Sequence, residues 1–308
     1  MKYAMIFIIV VFTLTTAAQT QHKAITNGFT EKNHSPLMIS HDAKEFKNVS
    51  PEIIALNNSG VKNALLGNYR EAINAFRQIM SKVPELPQVR YNLGTTLAYN
   101  KQYDEAIRIL RDVIADNPDY ASAHANLGET LYKNGSFTES IKSLRQALKL
   151  NPSDTIAMVN LGSSLLEEKE YQEALKWFDA AIKLQPQFFL AHNNRGTTLY
   201  DLGQRKEAID SFRQAIAVNP NFADAYNNLG VVLSNAGKKK EAHQLFLKAV
   251  QLRPDWNYAV FNLAVSFIEK GNREAAYRQL AVLDKIDAQL AAKLKHSLWQ
   301  KFVTTAFS

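Results

Sequence analysis

Gly60, Gly94, Gly128, Gly162, Gly196 and Gly230 stand 34 residues apart, and Pro84, Pro118, Pro152, Pro186, Pro220 and Pro254 keep the same interval. A period of that length marks a stacked-repeat chain, in which each unit buries its apolar face only against its neighbours. A stack of this kind presents a continuous surface in place of a cleft. A binding scaffold is therefore expected before a catalyst.

One unit, residues 119–152, shows how the pattern folds. Ala123, Leu127, Gly128 and Leu131 form the stripe of an amphipathic helix, and Gly135 breaks it. Ser136 to Glu139 has the spacing of a capping box, with the serine accepting from the first turn and the glutamate reaching back. A second helix follows through Ile141, Leu144, Ala147 and Leu148. It ends at Asn151-Pro152, because the residue before proline is pushed out of helical geometry.

The other units repeat this grammar. Glu71, Glu105, Glu139, Glu173, Glu207 and Glu241 fall in the first turn of a second helix, where a carboxylate complements the helix macrodipole. Each glycine of the series is expected to face the small residue twelve positions on: Ala72, Ala106, Ser140, Ala174, Ala208 or Ala242. Phe76, Phe178, Phe212 and Phe246 would fill the space beyond. Helix axes at the usual separation of about 8–10 Å leave no room there for two large side chains.

The leucine–glycine pair of the first helix, the aromatic of the Asn68-Tyr69 and Gln102-Tyr103 turns, the alanine, the phenylalanine and the closing proline resemble the tetratricopeptide repeat pattern in order. The resemblance covers about three quarters of the chain. It implies an all-α, right-handed alpha-solenoid of about seven helix-turn-helix repeats over residues 51–287, at 53–86, 87–120, 121–154, 155–188, 189–222, 223–256 and 257–287. The seventh is looser, with Ala264 in place of the glycine and no closing proline. Ser50-Pro51 starts the first helix as N-cap and N1 proline. Leu290, Leu294, Leu298 and Phe302 make one stripe within residues 288–308, as a helix capping the last apolar face would.

Residues 1–18 differ from all that follows. Lys2, the apolar run from Ala4 to Leu14 and Thr16-Ala17-Ala18 read as a signal peptide with processing after Ala18. This predicts a secreted or periplasmic protein. The run falls short of the ~20 residues of a spanning helix, and a membrane anchor follows only if the segment stays uncleaved. Gln19 stands where a lipoprotein would carry cysteine. Residues 19–50 are polar, without helical periodicity, and read as a flexible leader.

The first helices carry a second recurrence. Asn58, Asn92, Asn126, Asn160, Asn194, Asn228 and Asn262 hold one position in all seven repeats. In repeat three Asn126 shares its face with Ser122, Glu129 and Lys133, and in repeat five Asn194 with Leu190, Thr197 and Asp201. The family resemblance implies that first helices line the concave side of the stack. Asn92, Asn126, Asn160, Asn194, Asn228 and Asn262 would there bind the backbone of an extended peptide, as a similar asparagine row does in O-linked N-acetylglucosamine transferases. The alternative is packing against the adjacent helix. Tyr91, Tyr99, Tyr132 and Tyr200 are candidates for aromatic contact in the groove or for packing at its rim. The chaperone-tail clamp of the family is not expected, since Asn57 and Val61 stand at the first-repeat clamp positions and the lysine is missing.

The other function classes find less support. No phosphate loop, His-Glu-x-x-His helix or Gly-x-Ser-x-Gly elbow occurs, cysteine is absent, and the repeats leave no room for a catalytic domain. His124 and His192 lie two repeats apart, too far to share a metal. Neither enzyme activity, cofactor nor metal is expected. The net charge of +7 is local: residues 51–237 carry 19 basic and 20 acidic side chains, residues 238–308 carry 12 and 6. Lys238, Lys239 and Lys240 are an anion-binding candidate for a surface polymer or lipid headgroup. Nucleic acid is not expected, for want of interleaved aromatics. The leading expectation is a protein- or peptide-binding scaffold outside the cytoplasm. An accessory role in an envelope, secretion or glycosylation complex is the alternative.

Overall fold

The computed structural model describes residues 49–302. The expected signal peptide, nearly all of the leader and the last six residues lie outside that range. Fifteen helices follow in order among the described residues: α1 Pro51–Leu65, α2 Tyr69–Lys82, α3 Pro87–Tyr99, α4 Tyr103–Asp116, α5 Ala121–Lys133, α6 Phe137–Leu150, α7 Thr155–Glu167, α8 Tyr171–Leu184, α9 Phe189–Asp201, α10 Arg205–Val218, α11 Ala223–Asn235, α12 Lys239–Leu252, α13 Asn257–Glu269, α14 Arg273–Ile286 and α15 Ala288–Phe302. They form two compact units, α1–α8 and α9–α15. In each, consecutive helices pair as antiparallel hairpins and each hairpin stacks on the next, the architecture of an alpha-solenoid.

Seven identical turns make the hairpins. A residue in the left-handed region ends every first helix: Gly67, Lys101, Gly135, Lys169, Gly203, Gly237 and Gly271, with φ between 63° and 82°. The amide after each returns to the carbonyl five residues back, as Asn68 N does to Asn63 O and Ser136 N to Leu131 O, which satisfies a helix-end carbonyl. The expected capping box does not form. Ser136 sits at φ −92°, ψ 66° and its hydroxyl caps nothing. Side-chain caps occur at other helix starts: Ser50 Oγ accepts from Ile53 N, Asp154 Oδ1 from Ile156 N and Ala157 N, and Asp287 Oδ1 from Gln289 N and Leu290 N. After the Gly271 turn, Asn272 Oδ1 accepts from Ala275 N.

The glycines act differently from the expectation. A Cβ on Gly162 would stand 2.6 Å from Phe178 Cε1, and on Gly60 2.7 Å from Phe76 Cε1. Each glycine thus receives the bulky residue sixteen positions on. The small residue at twelve lies beside the glycine's backbone instead, where Ser140 Oγ donates to Gly128 O at 2.7 Å. Phe76, Phe178 and Phe212 are among the largest fully buried side chains. At about 25 cal/mol per Å2 of apolar area, such rings are leading contributors to each hairpin's stability.

On the opposite side, second helices are joined by charge. Arg77 pairs with Glu105 at 2.8 Å, Arg145 with Glu173 at 2.9 Å, and Arg111 with Glu139, always 28 residues apart. The carboxylates are the first-turn glutamates expected only to complement the dipole. The hydrogen bond from Arg145 holds Glu173 below its usual carboxylate range. At the far end, Leu290, Ala291, Leu294 and Leu298 of α15 close over Val260, Ala264, Leu280 and Leu283. The expected cap is in place.

Candidate functional site

The asparagine row is an inter-repeat network. Asn92 Nδ2 donates to Asn57 Oδ1 at 3.3 Å, Asn228 Nδ2 to Asn193 Oδ1 at 3.1 Å, and Asn262 Nδ2 to Asn227 Oδ1 at 2.8 Å. Each reaches back 35 residues, to the residue just before the previous repeat's asparagine. Within α9, α11 and α13 the bonds join up. Asn262 donates to Asn227, Asn227 to Asn228 at 3.5 Å, Asn228 to Asn193, and Asn193 to Asn194 at 3.1 Å.

Burial sorts the row. Asn92, Asn160, Asn194 and Asn228 are buried, and Asn58, Asn126 and Asn262 are partly exposed. The buried carboxamides of Asn92 and Asn228 hold neighbouring first helices in register, since an amide orphaned in the interior costs about 1–3 kcal/mol. The amide donors of Asn92 and Asn228 are taken up in packing between repeats. The sequence signal for their partners was present in the doublets Asn57-Asn58, Asn193-Asn194 and Asn227-Asn228.

Repeat three differs from repeats two and four. All four residues of its face, Ser122, Asn126, Glu129 and Lys133 on α5, remain partly exposed. Asn126 spends both amide hydrogens on the preceding repeat, donating to Tyr91 Oη and Thr95 Oγ1, each at 2.9 Å. Its Oδ1 is left as the acceptor on the surface side. One turn on, Lys133 pairs with Glu129 at 2.6 Å and lies 5.3 Å above the ring of Tyr99. Beside them Tyr132 donates to Glu167 at 3.3 Å, so Glu167 is half-buried and engaged rather than simply solvated. Burial pushes the Tyr91 and Tyr132 phenols well above their ordinary value, and both stay protonated. Tyr91 and Tyr132 are packing residues, while Tyr99 and Tyr200 keep partly exposed edges.

The other candidates fall into structural roles. His124 Nε2 lies 2.8 Å from Pro118 O and His192 Nε2 2.9 Å from Pro186 O, and Tyr226 Oη donates to Pro220 O in the equivalent place. Lys238 pairs with Glu241 at 3.8 Å and Lys239 with Glu269 at 3.0 Å, which leaves Lys240 as the exposed lysine of that cluster without an ion pair among the described residues. A groove of about 370 Å3 on the outer side is lined by Asp104, Arg108, Arg111, Asp112 and Glu139, charges of both signs. Among the described residues no group of three His, Asp or Glu is placed to hold a metal ion, and no helix is long and apolar enough to cross a membrane.

Family models described as tetratricopeptide repeat match residues 64–127, 97–144, 128–187 and 222–253, and one described as TPR repeat matches 196–237. No curated protein matches significantly. Among solved structures, pilF of Pseudomonas aeruginosa is 18% identical, covering 68% of this chain and 96% of that one at a TM-score of 0.59. YrrB, described as a TPR protein with an unusual peptide-binding site, is 26% identical over 61% of this chain and 97% of its own, at 0.45. MamA of Desulfovibrio magneticus RS-1 is 23% identical over 55% and 96%, at 0.47. The pilF likeness bears on the fold.

Proposed function

Since the chain belongs to the tetratricopeptide repeat family, we propose that it is a non-enzymatic scaffold that binds an extended segment of a partner protein across its first helices, with α5 at the centre of the contact. One observation carries this reading. The face of α5 stays partly exposed over its whole length, while the ladder asparagines of α3, α7, α9 and α11 are buried. Asn126 Oδ1 would accept a backbone N–H of the bound strand, which makes capture independent of the strand's side chains. Asn92, one repeat earlier, acts by holding α3 to α1, and Asn228 and Asn262 tie α11 to α9 and α13 to α11 in the second unit.

The Lys133–Glu129 pair adds no net charge, so recognition rests on hydrogen bonds and on the partly exposed Tyr99 edge. We further propose that the protein works outside the cytoplasm. The support is the apolar segment Ala4 to Leu14 with small residues at Thr16-Ala17-Ala18. N-terminal sequencing of the cell-extracted protein would return a chain starting at Gln19, and a chain starting at Met1 sinks that part.

Peptides selected by display against the full chain test the binding site. The Kd of an enriched peptide should rise at least about tenfold in Ser122→Arg, which blocks the face, and about fivefold in Asn126→Ala, the worth of one hydrogen bond. Ser153→Arg, on an exposed turn, should leave it unchanged. Equal affinity for all three variants at unchanged helicity would place the contact elsewhere.

A further inference from the structure

A terminal cap needs a polar outer face to keep a repeat array soluble, and this one departs from that rule. Trp299 of α15 is 57% exposed and Tyr277 of α14 is 41% exposed. The Lys295–Asp284 pair at 2.8 Å sets the register of the two helices. Trp299, four residues past Lys295, therefore comes level with residue 280 of antiparallel α14, within one turn of Tyr277. Along α15 the exposed residues Ala288, Ala292, Lys295 and Trp299 recur at i, i+4, i+7 and i+11, one stripe on the side of that pair.

The charge around these aromatics is positive on balance, with Asp287 beside Lys293 as one of three carboxylates in this hairpin. Asp284 is neutralised by Lys295, and Glu274 lies 3.8 Å from Arg278. Lys285 and Lys293 are exposed and form no ion pair with a described residue, and Arg273 lies 5.5 Å from the Tyr277 ring centroid. Residues 238–308 as a whole carry twelve basic and six acidic side chains. A tryptophan and a tyrosine, amphipathic at the ring edge, set among lysines with apolar stems, match the boundary between headgroups and acyl chains. The same charge disfavours a second copy, because a twofold contact would bring these lysines against their own images.

We propose that the outer face of α14 and α15 docks on an anionic membrane surface. Trp299 and Tyr277 enter the headgroup region, and Lys285, Lys293 and Arg273 lie over the lipid phosphates. This surface is in the second unit and is independent of the α5 contact.

Flotation of the full chain with vesicles tests it. The chain should float with phosphatidylcholine vesicles containing about 30% phosphatidylglycerol, remain behind with phosphatidylcholine alone, and be released as salt approaches about 0.5 M. Lys285→Glu/Lys293→Glu should lower the partition coefficient by at least about tenfold. Trp299→Ala should lower it by a similar factor and abolish the blue shift of tryptophan emission, with unchanged melting because the residue is exposed. Three outcomes overturn the proposal. Equal flotation of all variants would assign membrane contact to the leading apolar run. A Trp299-dependent dimer in sedimentation without flotation would assign the face to a second copy. Trp299-dependent binding of a glutamate-rich peptide without flotation would assign it to a protein.

Discussion

Asn228 donates its amide to Asn193, 35 residues earlier, at 3.1 Å, and so ties α11 to α9 through two side chains. Both groups are buried. Removing Asn228 takes away the partner of Asn193 Oδ1 and of Asn227 Nδ2 in the interior. Asn228→Ala is expected to lower stability by about 1–3 kcal/mol, seen as a lower denaturant midpoint with the m-value unchanged. A variant as stable as its parent would show that the amide chain contributes nothing to register.

The contact between Gly162 and Phe178 gives a second test. A methyl group at 2.6 Å from Cε1 forces the ring or the helix to move. Gly162→Ala should cost about 1–3 kcal/mol through overpacking, and Phe178→Leu in the same chain should recover part of the loss. Absence of any recovery would mean that the glycine serves another purpose.

Lys101 and Lys169 hold left-handed conformations, φ 63° and 64°, at the turn position where five other repeats carry glycine. A side chain there pays for its Cβ without using it, so Lys101→Gly/Lys169→Gly is expected to raise stability by about 1 kcal/mol per site. Thermal midpoints of the double variant read this directly, and a lower midpoint would contradict it.

Two titrating groups, buried His243 and half-buried Asp201, act in opposite directions. His243, whose Nδ1 lies 2.8 Å from Ser266 Oγ between neighbouring hairpins, stands where other repeats have Ile73, Ile107, Ile141, Leu175 and Ile209. Burial, helped by Lys270, pulls its pKa below the usual imidazole value. The unfolded chain therefore binds the proton first, and stability falls as pH drops below about 6.5 towards the folded value. His243→Ile should remove that acid loss in denaturation midpoints taken at about pH 7.5 and pH 5.

Burial alone raises the Asp201 carboxyl to about 6. Here the folded state binds the proton first. Asp201 favours the fold below the ordinary carboxylate range, and that contribution is lost as pH rises through about 6. Asp201→Asn should be more stable than the parent at neutral pH and should lack this slope. An unchanged midpoint at neutral pH would show the carboxylate to be solvated.

The hairpins, their order and the cap are legible in the sequence because every unit repeats one spacing and helical periodicity has no competing reading. Where local chemistry admits two partners, the choice is made by tertiary packing. The Ser136 capping box fails because the short serine side chain, at ψ 66°, makes no bond to the first turn. The longer Asn272 side chain, after the equivalent Gly271 turn, reaches Ala275 N. Gly162 meets Phe178 instead of Ala174 because a long side chain spans the gap between axes that a methyl group leaves open.

The site was less legible. Spacing aligns Asn92, Asn126, Asn160, Asn194, Asn228 and Asn262 on one face, but does not tell which repeat buries its own. Burial does not follow the pairing, since Asn262 bonds to Asn227 and stays partly exposed while Asn160, with Ala125 in the pairing position, is buried. The partner of each donor depends on the residue one position earlier in the preceding repeat. Where it is Asn57, Asn193 or Asn227 an amide pair forms. Where it is Tyr91 the phenol takes the donor, and the carbonyl of Asn126 keeps its place at the surface.

The Arg77–Glu105, Arg111–Glu139 and Arg145–Glu173 pairs make successive repeats interchangeable parts. Excising residues 87–120 would bring Arg77 to Glu139 across the same 28 positions. The shortened chain would rejoin with this exterior charge pair matched, and on the inner side Asn126 would meet Asn57 in place of Tyr91.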